Sequence, residues 1–439
     1  MKLLLNLVPA LVLTFSAPAV LAKNSCHSVF SKISQSAAVR KLVSEDAYMQ
    51  WLKWEQTANL KQYHKPTTTI EVPLVRLSPA AVDVVVTSDA PSKLINLFKT
   101  EQGDILWAKH PYNLSPEVPF RESPSTDSIS VYMTSSRSLA LTGDLRGYTI
   151  KLATDHPHGP RGEYQPSKIK TNDDIDSALI HTNHMKEVDQ LFGVDPVIMM
   201  LGEVMTVAEK KTGIGMVVRD VRATDDGNYY LPALSIPYVG REIAQINGTS
   251  FEAFFERAYA QLLGEAKARL LLRTGLQMAT PNPQNMLLQL DRNLKPTGKL
   301  VFRDVSDAYL VDVVAKGLNF KKKIELDIAA GYPPKVGINP FWSNSLWRFD
   351  EAGKDSVSTS TIESWAKAHN RAFIEYIERE LKIDTKEDTI NNTQDEMDYV
   401  YMALKSDLGQ AKLLQYRKRL EAQEQRQHQR QQREFSKAM

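Results

Sequence analysis

The stretch from Thr249 to Asp304 constrains the fold of this chain more than any other. Thr249 and Glu252 stand three apart as a capping box ahead of an apolar run. Phe251, Phe255, Ala258, Leu262 and Leu270 then recur at helical spacing, and Gly275 supplies the stop. Two short strands are predicted next, Met286 to Leu290 and Lys299 to Val305, around the turn-rich connection Asp291 to Gly298. That hairpin sets Asn285 at the entry of one strand and Asp304 at the exit of the other, so the two are expected to converge at one edge. Amide and carboxylate oxygens are hard ligands suited to Mg²⁺, which takes its remaining ligands from water and nucleotide phosphates. The alternative is a hairpin whose Asn and Asp only cap turns.

The same order, Asn and then Asp, serves the metal ions of protein kinases. A kinase also places a catalytic Asp five residues before that Asn. Here Thr280 occupies the position. A hydroxyl acceptor would want a base there, whereas a carboxylate, with a pKa of about 4, is already anionic. The pattern therefore favours attack on ATP by a carboxylate.

The rest of the chain supplies cations. Ile129 to Leu141 and Tyr148 to Ala153 read as strands, and alternation would put Ser135 and Arg137 on one face of the first. A hydroxyl and a guanidinium on one face suit phosphate oxygens, and Lys151 on the second strand adds a point charge. A solvated strand face is the plainer reading. Val217-Val218-Arg219-Asp220 is an apolar strand ending in a charge pair, paired in expectation with Tyr229 to Ile236 through an Asp226-Gly227 turn. His156, His158, His181 and His184 could chelate a metal, or could simply be exposed. Helices are expected over Ala38 to Leu60 and Ile175 to Phe192. Strand character runs from Thr69 to Val86, broken at Pro73 and Pro79, and Pro111 to Pro124 reads as a long irregular loop.

Composition bounds these readings. The 439 residues are 42% apolar and 24% charged, with a net charge of +2. That excludes a disordered or collagenous chain and gives no support for a nucleic-acid-binding surface. The single cysteine, Cys26, excludes an internal disulfide framework and an all-thiolate metal site. Lys2, the broken apolar run Leu3 to Val20 and the small residues of Val20-Leu21-Ala22 read as a signal peptide over 1–22. The expectation is an exported protein, periplasmic or secreted, with no integral membrane span after cleavage.

In this order the motifs resemble the siderophore synthetases of the aerobactin type, which work independently of nonribosomal peptide synthetases. The counterparts are Ser135-Ser136-Arg137-Ser138, Ile150-Lys151-Leu152, Val218-Arg219-Asp220, Asn282-Pro283-Gln284-Asn285 and Arg303-Asp304-Val305. Asn282 stands where that family has a histidine. The resemblance implies an α+β, cupped-hand fold with a kinase-like C-terminal palm. It implies ATP and Mg²⁺ as cofactors, and small-molecule carboxylate and amine substrates joined through an acyl-adenylate. Carried over, Ser135, Arg137, Lys151 and Arg219 would hold the nucleotide, with Arg137 and Lys151 catalytic. Gln284 would also contact nucleotide, and Asn285 and Asp304 would hold the metal.

The organisation that follows is an N-terminal α+β region over 23–128, a phosphate-binding sheet region over 129–240, a mainly helical palm over 241–414 and a polar tail over 415–439, helical or disordered. No nucleic-acid partner is expected, and self-association is left open. Two other functions fit the sequence: an exported kinase-like transferase, and a noncatalytic binding protein on the same fold. The export reading has a direct check. Mass spectrometry of the native protein is expected to find Lys23 or a neighbour as the N-terminus, and an intact Met1 would refute it.

Overall fold

The computed structural model describes residues 37–58, 68–111, 127–135, 137–153, 173–210, 214–278, 283–320, 357–385 and 398–438. The signal-peptide segment, His156, His158, Thr280 and Asn282 lie outside them.

The chain opens with α1 (Ala37–Leu42) and α2 (Ala47–Thr57), separated where Asp46 caps α2 by accepting from the Met49 amide at 3.1 Å. Then come β1 (Ile70–Leu77), β2 (Val82–Val86), α3 (Ser92–Leu97) and β3 (Ile105–Ala108). The run continues with β4 (Ser128–Met133), β5 (Ser138–Leu141), β6 (Tyr148–Leu152) and α4 (Asp173–Phe192). Next are β7 (Ile198–Met200), β8 (Glu203–Glu209), β9 (Gly215–Asp220), β10 (Tyr229–Pro232) and α5 (Ile236–Ile246). The long central helix is α6 (Phe251–Phe255), a π-helical stretch Glu256–Gln261 and α7 (Leu262–Thr274). It is followed by β11 (Leu276–Met278), β12 (Met286–Leu290), β13 (Pro296–Phe302), β14 (Ala308–Leu310) and α8 (Asp312–Leu318). The described chain ends with α9 (Thr359–Leu381), α10 (Asp398–Lys405) and α11 (Asp407–Ala438). The fold class is α+β, as the sequence implies.

Eight strands form one antiparallel sheet in the order β2-β8-β9-β6-β5-β4-β1-β3. Residues paired across strands share a face. Val72, Val131, Leu139, Ile150, Val218 and Val207 make one face, buried with Leu94 and Phe98 in a single apolar cluster. The opposite face carries Ser138, Thr149, Lys151, Arg219, Thr206 and Glu203. A bulge between Glu203 and Met205 lets Glu203 pair with Arg219 and join that face. A second sheet, β10-β12-β13-β7, contains the predicted hairpin.

Several local expectations are corrected. Pro73 does not break β1. Residues up to Pro73 pair with β4 and those from Leu74 pair with β3, so the missing amide falls where the ladder changes partner. Ile129 to Leu141 is a hairpin rather than one strand, because the amides of Thr134 and Ser135 both turn to the Ser138 carbonyl. β9 and β10 do not pair with each other: β9 lies between β6 and β8, and β10 joins β12. A 3-10 turn over Arg222–Thr224 separates the two strands. The central helix is capped by Ser250, which accepts from Ala253, one residue later than the Thr249 capping box. Gly275 ends it in the left-handed conformation, as expected.

α7 and α9 approach at Gly264, where an added Cβ would stand 2.1 Å from the His369 carbonyl oxygen. Backbone cannot yield as a flexible side chain can. Gly264→Ala is therefore expected to part these helices and destabilise the fold by about 1–3 kcal/mol, read as a lower urea midpoint with full-length protein.

Candidate functional site

The polar face of the large sheet meets the exit of the hairpin at Asp304. Lys151 on β6 donates to both carboxylate oxygens of Asp304, each at 2.5 Å. Arg219 on β9 reaches one of them at 2.9 Å and the Glu203 carboxylate at 2.6 and 2.9 Å. Lys151 pairs in register with Val217, so Lys151 and Arg219 sit diagonally on one face. Glu203 and Arg219 are almost fully buried, whereas the Lys151 side chain keeps 19% of its surface open. The cluster is thus sealed on the Glu203 side and accessible on the Lys151 side.

Burial alone would raise the Asp304 carboxyl. Lys151 and Arg219 outweigh it, with Arg137 adding from nearby, and hold the group well below the usual carboxylate range. Burial pushes Glu203 the other way, upward, and the neighbouring Asp304 charge adds to that. Among the described residues Glu203 Oε2 is buried with no hydrogen-bond partner. Lys151 and Arg219 thus hold Asp304 directly, and Arg137 acts on it at longer range. Asp304 itself has φ 65° and ψ 50°, a left-handed conformation that a non-glycine residue rarely takes.

Neighbouring elements brace this point. His181 on α4 donates from Nδ1 to the Val305 carbonyl at 2.6 Å, just after Asp304. Thr182 accepts from the Glu203 amide at 3.1 Å. Burial pushes the His181 imidazole down to about 4 and also lowers His184, whose Nε2 bonds the Thr274 carbonyl at 2.8 Å. Both histidines therefore serve backbone carbonyls. Arg303 holds the Gln284 carbonyl at 2.6 and 2.8 Å and the Glu55 carboxylate at 2.9 Å. The next residue, Gln56, donates to the Met133 carbonyl.

The expected site residues fall as follows. Lys151, Arg219 and Asp304 meet directly, and Arg137 acts on Asp304 electrostatically. Arg219 does not pair with Asp220, which points away and binds Arg222. Ser135 and Arg137 belong to the β4–β5 turn, not to an extended segment. There the Ser138 amide donates to Ser135 Oγ at 3.2 Å, a local bond that competes with the ladder. The Arg137 carbonyl accepts from Leu152, beside Lys151. Asn285 is buried, and its carbonyl accepts from the Arg303 amide at 2.9 Å, which sets it at the same hairpin end as Asp304. Gln284 precedes it, held through its carbonyl.

Sequence reasoning missed Glu203, Glu55, Gln56, Thr182 and the bracing role of His181. Glu203 had one available signal, a carboxylate opening the otherwise apolar run Glu203-Val204-Met205.

No family model matches the sequence, and no curated protein matches it either. Among solved structures the chain is similar to the ATP-bound aerobactin synthetase IucA of a hypervirulent pathotype of Klebsiella pneumoniae. Identity is 14% over 83% of this chain and 76% of that one, with a TM-score of 0.49. It is similar to aerobactin synthetase IucC of the same pathotype at 11% identity, covering 83% and 77%, with a TM-score of 0.47. It is also similar to the petrobactin biosynthesis protein AsbB of Bacillus anthracis str. Sterne at 12% identity, covering 81% and 65%, with a TM-score of 0.45.

Two results are expected from the ion cluster. Lys151→Met should cost about 3 kcal/mol, the low end of breaking a buried pair, because Arg219 still serves Asp304; urea denaturation measures it. The Asp304 carboxylate titrates lower in the folded chain than in the unfolded one. Its stabilisation is therefore complete above about pH 4 and is lost as pH falls through the folded value. The stability gap between wild type and Asp304→Asn should accordingly narrow below pH 4, and a constant gap would contradict the ion-pair role.

Proposed function

We propose that this chain is an exported, ATP- and Mg²⁺-dependent ligase of the siderophore-synthetase type, joining a small-molecule carboxylate to an amine or alcohol through an acyl-adenylate. One observation carries the reading. Lys151, Arg219 and Asp304 come from three separate motif segments and meet in a single ion cluster, with Arg137 of a fourth segment within electrostatic reach. Cations gathered from separate strands at one partly open point suit phosphate oxygens.

The donor set fits the expected cofactors. Asn285 and Asp304 offer hard oxygens at one hairpin end. Among the described residues no group of three or more His, Cys, Asp or Glu could hold a metal alone, so phosphate and water oxygens would complete the Mg²⁺ shell. Ser135, Arg137, Lys151, Arg219 and Gln284 would hold the nucleotide. ATP supplies the adenylyl group that activates the acid. Arg137 and Lys151 stabilise the charge that builds as pyrophosphate leaves. An ionised carboxylate needs no base, which agrees with Thr280 standing where a kinase has its catalytic Asp.

A second reading has its own support. Both Asp304 oxygens are already held by Lys151, and Arg219 shares one of them, so Asp304 is satisfied without a ligand. Together with Asn282 this favours a noncatalytic binding protein on the same fold.

Turnover decides between them. Purified mature protein with Mg²⁺-ATP, an amine and a panel of citrate and dicarboxylic acids is expected to yield AMP and pyrophosphate. Arg137→Ala should cut that rate by about 10²–10³, and Asp304→Asn should abolish the Mg²⁺ dependence of ATP binding by calorimetry. Release of ADP would select a kinase-like transferase, and acid binding without turnover would select the binding protein.

A further inference from the structure

The last helix carries a feature that the nucleotide site does not use. At 3.6 residues per turn, Lys412, Arg419, Arg426, Arg430 and Arg433 of α11 fall within one sector about 60° wide and about 30 Å long. Glu421 and Glu424 lie on the other side, taken up by Arg417 and His428. Arg419 reaches Glu380 at 3.7 Å. Arg426, Arg430 and Arg433 are exposed, and no acidic side chain pairs with them among the described residues. Beyond Glu424 every residue through Glu434 is exposed, so no packing holds this part of the helix against the body.

Large exposed apolar side chains gather at the base of the same helix. Leu408 stands 59% exposed and in angular register with the cations. Met402, 60% exposed, and Tyr399, 46% exposed, lie on α10, which packs against α11. Exposed apolar groups and cations on one helical unit are the two signals that together hold a protein at a lipid surface, and here Leu408 stands about 27 Å along the helix from Arg426, in the same sector. Arginine forks match phosphate oxygens, and a straight line of them matches a flat array of headgroups better than an apolar pocket. A nucleic acid would use the arginines and leave Tyr399, Met402 and Leu408 without a role. Among the described residues no helix is long and apolar enough to cross a membrane.

We propose that the α10–α11 unit docks the protein on an anionic phospholipid surface. Arg426, Arg430 and Arg433 engage headgroup phosphates, and Met402 and Leu408 enter the interface.

Flotation of the full chain with vesicles tests this. Vesicles of phosphatidylcholine mixed with phosphatidylglycerol should carry the protein up, and pure phosphatidylcholine should not. Each cation near such a surface is worth enough that the triple variant R426Q/R430Q/R433Q should bind about 10²-fold more weakly. Glutamine keeps the helix propensity of arginine, so circular dichroism should be unchanged. Met402→Ser with Leu408→Ser should weaken binding while leaving its salt dependence intact. Equal binding to neutral vesicles, or an unaffected triple variant, would overturn the proposal. Tighter binding to a duplex oligonucleotide than to anionic vesicles at equal phosphate would assign the stripe to nucleic acid instead.

Discussion

The candidate nucleotide site depends on one carboxylate. Asp304 sits between the polar face of an eight-stranded sheet and the end of a four-stranded one, and its two oxygens receive an ammonium and a guanidinium from the first. A carboxylate so placed would be costly if left alone, since burial disfavours its charge. The cations would repel one another without it. The pair of sheets is therefore joined electrostatically at the place where chemistry is proposed. The left-handed backbone at Asp304 is held by that junction and by the His181 contact on the following residue.

Much of this was legible in the sequence. The central helix, its glycine stop and the hairpin could be read because their signals are local: apolar spacing, a left-handed stop and a turn-rich connection. Asn285 and Asp304 reach the same hairpin end because strand length and turn chemistry decide it. Lys151 and Arg219 were legible only as separate motif residues, since nothing local says that strands so far apart in sequence become neighbours. Their position on one face follows from the pairing of β6 with β9.

What escaped the sequence is also physical. The Ser135–Arg137 segment reads as strand by its flanks, yet serine hydroxyls offer the backbone local partners, and a turn wins. Glu203 could not be placed beside Arg219 from the sequence, because a bulge, not strict alternation, puts it there. His181 and His184 look like ligands by spacing. Burial keeps them neutral, and backbone carbonyls claim them. Glu55 and Gln56 belong to a helix whose apolar stripe says nothing about the polar contacts it makes.

Those last two residues are neighbours on α2, and they grip different parts of the molecule. Glu55 holds Arg303 at the hairpin exit, and Gln56 holds the Met133 carbonyl where β4 enters its turn. Successive residues on a helix are separated by covalent geometry that thermal motion barely alters. The gap between the Arg137 turn and Asp304 is therefore gauged by a single helical step, as the jaws of a caliper are set by its beam. A shift of α2 would therefore be felt at the Arg303 contact and at the Met133 contact together.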